Sequence, residues 1–383
     1  MPGLTGLAVR PILSRTDFYE RLSQSVHALG GYHNAHLHLD RSHTLSMFSD
    51  RTSFRASHLT LSQKHGLISE IHQGEYYSNS SLEGRINKSL DTMIACNTRR
   101  ADSVIDVTAD GLGLRALEVA REISRARAHE IDFRPAVYSP LGFRDTEPER
   151  WALMEAGAPI ASFVGCLPER DDTADYPDHI GYEACCSRML DLARRHNKML
   201  QVHTDQVNHP NECGTERLLN VIEADGIYRG EGADPMVWAI HVISPSTYSE
   251  GRWNELVSRL VAANVGVICC PSGALGMRQL RGMSTPTGNS IARVLELLAA
   301  GVQVRLGSDN IADMLSPSTT ADLTDEVFLL TAALRFYDIE ILAKLACGIP
   351  LNADDVHTVK EHLEANTVEV DKAITRWDAP PAT

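Results

Sequence analysis

The stretch Tyr32-His33-Asn34-Ala35-His36-Leu37-His38-Leu39-Asp40 decides how this chain is read. Its second half alternates polar and apolar residues as a β-strand does, so His36 and His38, two positions apart, share one face. Two imidazoles on one face near a strand end make half of a metal site. The His-x-His pattern is short, and by itself it fits a core or surface pair as well. The partners decide.

Three further polar residues follow strand-like apolar runs. Met199 to Val202 leads into His203-Thr204-Asp205-Gln206, Met236 to Ile240 leads into His241, and Gly301 to Leu306 leads into Gly307-Ser308-Asp309-Asn310. Each marks the C-terminal end of its strand, the end at which a parallel barrel keeps its active site.

Short apolar strands alternate with helical stretches of about ten residues along the chain, the signature of βα units. The spacing predicts a helix over Asp17 to Leu29 and strands at Asp102 to Val107, Phe133 to Tyr138, Ile160 to Leu167 and Val265 to Cys270, besides the four already named. Eight strands close a parallel barrel, so a (β/α)8 TIM barrel is expected within one domain spanning 1–383. Its parts are an N-terminal helical segment over 1–30, the barrel over 31–310 and extra C-terminal helices over 311–372, with a frayed tail from Thr375. Too little chain precedes the first strand for an accompanying β-sandwich. The connection from Arg41 to about Ser80 is long for a compact domain and suits a lid or substrate wall.

The formal charge of −14 argues against nucleic acid or an anionic membrane surface as partner, since both need a positive field. No apolar run reaches the roughly 18 residues of a membrane span, so a cytoplasmic protein is the expectation. Eight cysteines are scattered in apolar contexts without a CxxC pair, and are read as reduced.

His36, His38 and His203 with the Asp309 carboxylate form a set of three nitrogens and one oxygen. That set suits one divalent metal, Zn2+ first and Fe2+ second, and disfavours the oxygen-seeking Mg2+ and Ca2+. Such an ion lowers the pKa of a bound water toward neutrality, which makes hydroxide available for attack. His241 is then free to bond that hydroxide or polarise the substrate, and Asp309 serves as ligand and proton acceptor together.

These residues, His-x-His on strand one, His203 on strand five, His241 on strand six and Asp309 in Gly-Ser-Asp-Asn on strand eight, resemble the metal-site signature of the amidohydrolase superfamily. His203-Thr204-Asp205-Gln206 and Gly307-Ser308-Asp309-Asn310 look most like the branch of cytosine deaminase and N-isopropylammelide aminohydrolase. The resemblance implies hydrolysis of a C–N bond in a small nitrogen heterocycle, by a deaminase or amine-releasing aminohydrolase. The chain departs from it twice. Strand four, Phe163-Val164-Gly165-Cys166-Leu167, offers no lysine to bridge two metals, which favours one ion; Glu169 is the residue able to bridge a second. Gln206 stands where cytosine and adenosine deaminases carry a proton-shuttling Glu, and an amide cannot donate a carboxylic proton.

Arg41, three after His38, is expected to grip a carbonyl or stabilise an oxyanion, the alternative being a surface salt bridge with a residue such as Asp40. Catalytic candidates are therefore His241, Asp309, Arg41 and Gln206. Substrate contacts are expected from Asp205, Asn310 and, in the long loop after strand seven, Arg278 and Arg281. The expected partner is a small heterocyclic molecule, and a homo-oligomer is expected. Two other readings stand beside the first: opening of a cyclic amide or imide, for which Gln206 is less of a puzzle, and a metal-binding barrel without turnover.

Overall fold

Eight strands join in one parallel sheet in simple sequence order. A computed structural model describes residues 16–45, 59, 61–277 and 291–378, with backbone alone for Ser62, Trp377 and Asp378. The strands are β1 (Tyr32–Leu37), β2 (Thr98–Asp106), β3 (Asp132–Tyr138), β4 (Val164–Cys166), β5 (Leu200–Thr204), β6 (Val237–His241), β7 (Val265–Cys269) and β8 (Val304–Leu306). An isolated parallel bridge between Leu37 and Asp309 brings the last strand back to the first. The result is the (β/α)8 barrel expected from the alternation, and every named strand lies in that one sheet, with none left for a sandwich.

Around the strands run α1 (Asp17–Ala28), α2 (Leu61–Gly66), α3 (Ile68–Gln73), α4 (Asn79–Ala95), α5 (Arg115–Ala126), α6 (Pro148–Gly157), α7 (Tyr182–Arg195), α8 (Gly214–Asp225), α9 (Glu250–Ala263), α10 (Pro271–Leu275), α11 (Val294–Ala300), α12 (Leu323–Leu334), α13 (Ile339–Ala346) and α14 (Ala353–Asp378). Side-chain alternation sorts the core into two layers. On β6, Val237 and Ala239 join the large cluster between strands and helices, while Trp238 and Ile240 join a small one with Ala35, Ile268 and Cys270. A second small cluster, Val104, Ala136, Tyr138, Phe163 and Leu167, meets the first through Met199. These two fill the inside of the barrel, as period-two strands buried on both faces require.

Some element bounds differ from the sequence reading. β2 begins at Thr98, four residues early, because Thr98 and Arg100 already pair with β1 although this polar start has no apolar run. β4 is three residues, not eight: Phe163 and Leu167 pack inside the barrel, but pairing in register covers Val164–Cys166, preceded by single bonds from Ser162 N to Pro135 O and from Val137 N to Phe163 O. α14 continues to Asp378, past the point at which fraying was expected, and its second half is exposed all round. No helix among the described residues is long and apolar enough to cross a membrane. All eight cysteines are free.

Candidate metal centre

The seam between β1 and β8 builds the centre. Asp309 N donates to His36 O at 2.9 Å, and His38 N donates to Asp309 O at 3.3 Å. The bonds that close the barrel thus set Asp309 between the two histidines of β1. Close approach here needs Gly307, where a Cβ would meet His36 N, Cβ and O at 2.9 Å each. On the other edge of β1, Asn34 pairs with Ala101 and Leu37 with Ser103, so three residue steps face two. That bulge re-aims the strand just before His36 and His38.

Three imidazoles then converge. Ring centroids of His36 and His203 are 4.8 Å apart, those of His36 and His38 are 5.0 Å apart, and those of His38 and His203 are 5.5 Å apart. Gln201 Nε2 donates to Ala35 O at 2.9 Å, so its Oε1 is left to accept from His36 Nδ1, also at 2.9 Å. His203 Nδ1 lies 3.0 Å from the Cys166 carbonyl, which can only accept. Both rings are thereby fixed with hydrogen on Nδ1 and a lone pair on Nε2. Each Nε2 is buried with no hydrogen-bond partner among the described residues. Asp309 Oδ1 lies 3.3 Å from His38 Nε2 and 3.8 Å from His36 Nε2.

Burial keeps these rings neutral. It lowers the pKa of His36 and His203, that of His38 to about 3 and that of His241 to about 4. For Asp309 burial works the other way, but the hydrogen bond from His38 and the fields of His241, His38 and His36 hold the carboxyl well below the usual carboxylate range. Neutral imidazoles beside an ionised carboxylate are the protonation states a cation needs. Donor atoms of His36, His38 and His203 all lie within 4.8 Å of one another. The orphaned Nε2 atoms, the donor types and their shared direction fit a borderline-soft divalent ion.

His241 ends β6 with its centroid 5.5 Å from His203, and its Nδ1 is buried without a partner among the described residues. His241 and Val242 have φ of 76° and 51°, and Asp205 and Asp309 have φ of 55° and 58°. Left-handed backbone is rare for non-glycine residues and an outlier for valine, so these strand ends hold local strain, and at His241 and Asp309 it accompanies side chains that line the barrel mouth.

Arg41 is buried, not on the surface. Its guanidinium rests against His38 Nδ1, and its nearest carboxylate is Asp106, at 3.5 Å from Nε, rather than Asp40. Burial opposes its charge, yet Asp106, Tyr138 and Asp40 together raise its pKa above the ordinary arginine value. Asp40 is held instead by Tyr77 Oη at 2.8 Å and the Asp106 amide at 3.0 Å. Asp106 in turn meets His72 Nε2 at 3.1 Å, and His72 Nδ1 meets Asp110 at 2.8 Å. The connection after β1 therefore locks onto the end of β2.

A cavity of about 490 Å³ opens above the histidines, lined among others by His38, His203, His241, Asp309, Arg41, Gln206 and Asn310. Asn310 is tied by its Nδ2 to Asp313 at 2.6 Å. Gln206 donates from Nε2 to Glu169 Oε2 at 2.8 Å. Asp205, by contrast, does not line the cavity. Its carboxylate caps α8, accepting from Gly214 N at 2.6 Å, from Thr215 N at 2.9 Å and from the Thr215 hydroxyl. Serving three donors at a helix N-terminus leaves it nothing for a substrate, which corrects the role expected for it. Arg278 and Arg281 lie outside the described residues.

Sequence reasoning passed over Tyr138, His65 and Leu61 in the cavity wall. Tyr138 stacks 5.6 Å from His38 and 5.4 Å from His203. Its position at the end of β3, equivalent to that of His203 on β5, was the available signal. His65 and Leu61 come from α2, within the long connection expected to form a wall.

No family model matches the chain. A Haemophilus influenzae protein described as uncharacterized is 28% identical over 249 residues, 63% of this chain and 81% of that one. Among solved structures, 5-methylcytosine deaminase from Klebsiella pneumoniae liganded with 5-fluorocytosine matches with a TM-score of 0.68 and 21% identity, over 87% of this chain and 82% of the other. N-isopropylammelide isopropylaminohydrolase from Burkholderia multivorans matches with a TM-score of 0.63 and 17% identity over the same shares, 87% and 82%. Guanine deaminase from C. acetobutylicum with bound guanine matches with a TM-score of 0.57 and 12% identity, over 83% and 72%. At these identities the likeness is one of fold. The first two are of the kinds that the histidine motifs resemble.

Proposed function

We propose that this chain is a metal-dependent hydrolase of the amidohydrolase superfamily that cleaves a C–N bond in a small nitrogen heterocycle, releasing ammonia or an amine. One observation carries the reading: the buried, orphaned Nε2 atoms of His36 and His203 face the same point as His38 and the Asp309 carboxylate, at the floor of a ring-sized cavity. The solved structures reported above are named for deamination or amine release from such rings, which supports the same chemistry.

His36, His38, His203 and Asp309 would hold one divalent ion, zinc by donor type, and when bound it would acidify water enough to supply the nucleophile at neutral pH. Asp309, ionised and beside the attack point, accepts the proton of that water. His241, neutral and with a ring nitrogen unpaired, bonds the oxygen that develops charge as the ring carbon becomes tetrahedral. Arg41, permanently charged and pinned between His38 and Asp106, grips a carbonyl of the substrate. Tyr138 and Leu167 shield the histidines from bulk water.

Gln206 favours a second reading. It cannot pass a carboxylic proton to a ring nitrogen, and opening of a cyclic amide or imide needs that step less. Both reactions would use the same ion and the same six residues, and the products separate them: amine release gives ammonia or a free amine with the ring intact, whereas ring opening gives a new carboxylate.

The experiment is metal analysis of the purified protein and of Asp309→Asn, joined to product analysis over aminopyrimidines, aminotriazines and cyclic imides. The expected result is about one zinc per chain and a loss of roughly 10²- to 10⁴-fold in kcat for Asp309→Asn. Parent protein that binds no transition ion, or an Asp309→Asn variant as active as the parent, overturns the proposal. We also infer a cytoplasmic homo-oligomer, supported by exposed Phe328, Tyr337, Val368 and Ile374 in the C-terminal region; light scattering showing monomer would overturn the assembly.

A further inference from the structure

Gln206 is the position at which the chain departs from the acid its motif leads one to expect, and the structure holds that amide unusually firmly. Its main chain and that of Val207 donate to Glu212, at 3.1 Å to Oε1 and 2.9 Å to Oε2. Glu212 is itself held by the Ser244 hydroxyl. The side chain of Gln206 donates from Nε2 to Glu169 Oε2 at 2.8 Å. The backbone is anchored and one Nε2 hydrogen is committed to Glu169, which leaves the carbonyl oxygen Oε1, beside the second Nε2 hydrogen, for the cavity that Gln206 lines.

Glu169 comes from the turn after β4, Pro168–Asp171, and its other oxygen is buried without a partner among the described residues. Burial and the nearby carboxyls of Glu212 and Asp205 raise its pKa well above the usual range. A buried acid costs stability unless its partner repays it. Here the partner is Gln206, and what the pair produces is a fixed direction for one carboxamide.

We propose that Glu169 and Gln206 act as one reading device for the substrate's edge: Glu169 anchors Nε2 and thereby presents Gln206 Oε1 as an acceptor, which selects rings with an N–H at that edge, lactams or imides, over rings with a bare or alkylated nitrogen there. The proposal rests on the reading of this cavity as the site for a small nitrogen ring and deepens it. Glu169 is a positioning residue, acting through Gln206. The same arrangement explains how the chain does without an acid at position 206: a ring nitrogen that already carries hydrogen needs no proton delivered to it. A deaminase acid must donate at that point, whereas this amide accepts.

The test is calorimetric titration of the metal-loaded protein, and of the protein stripped by chelator so that no probe is consumed, with uracil, hydantoin and succinimide and with the same rings N-methylated. The parent is expected to bind at least one N–H ring and to bind its N-methyl counterpart at least about tenfold more weakly, the worth of one well-made hydrogen bond. In Glu169→Ala the carboxamide is free to turn, and the ratio should fall to about twofold; in Glu169→Gln, whose Oε1 can still accept from Gln206 Nε2, the ratio should persist. Gln206→Leu, which keeps the volume and removes the acceptor, should lose the ratio even if Glu169→Ala does not fold. A parent that binds no N–H ring, a parent ratio near one, or a Glu169→Ala protein that retains the parent ratio overturns the proposal. The ratio is read without turnover, so a parent that discriminates yet hydrolyses nothing defeats the reaction assigned above and leaves this reading standing.

Discussion

Gln201 shows how much a single buried side chain decides. Its amide nitrogen is committed to Ala35 O, so its oxygen must face His36, and that alone sets which nitrogen of His36 is free to bind an ion. Gln201→Leu removes the orientation but none of the donors. Its metal affinity, measured by chelator competition, should fall about 10- to 100-fold with the fold retained; unchanged affinity would show that His36 needs no such partner. The convergence of His36, His38 and His203 was legible in the sequence because each follows or ends an apolar strand, and the strand ends of a parallel barrel share one mouth. The fate of Asp205 was not legible, since a carboxylate one residue past a strand can turn to a cavity or to the next helix. Its left-handed φ of 55° and the open amides of Gly214 and Thr215 decide for the helix. The partner of Glu169 was hidden for a similar reason: the sequence offers that carboxylate as a bridge to a second ion, and only the fold brings it to Gln206 from 37 positions away.

Among elements, the β1–β8 seam and the connection after β1 carry the site. Gly307→Ala would push a methyl into the His36 backbone, and overpacking of this kind costs about 1–3 kcal/mol. Denaturant unfolding should show that loss together with weakened metal retention, because the displaced strand carries Asp309; loss of stability with full retention would separate the two. α3 is tied to β2 through His72. Burial opposes the charge on that ring, but hydrogen bonds to Asp106 and Asp110 outweigh it and raise its pKa to about 9. A raised histidine pKa stabilises the folded state fully below pH 6.5 and loses that contribution as pH climbs through 9. The stability gap between parent and His72→Gln should therefore be wide at pH 6 and narrow by pH 10; a gap that widens with pH contradicts the ion triad. Strands of five or more residues were readable from apolar runs and turn residues. β4 was not, since inward packing by Phe163 and Leu167 mimics a strand longer than the three residues that pair in register.

On the scale of the molecule, an ion that binds the closed barrel and not the open chain adds stability by mass action. At a free ion concentration roughly a hundredfold above Kd the gain is about 2.7 kcal/mol. Melting curves should shift upward on adding zinc and downward with chelator in the parent, and should not shift in a variant lacking His36 and His203; an equal shift in both would place the ion elsewhere. The order of eight βα units was legible because each unit repeats one pattern and parallel strands need long crossovers. The run of α14 past Thr375 was not, because the end of this helix touches little and only local propensity maintains it. Closure of the barrel by Asp309 also fixes an order of events during synthesis. A ribosome that has delivered His36, His38 and His203 has not yet delivered Asp309, so the fourth of the proposed donors joins the other three only when the final strand seals the ring.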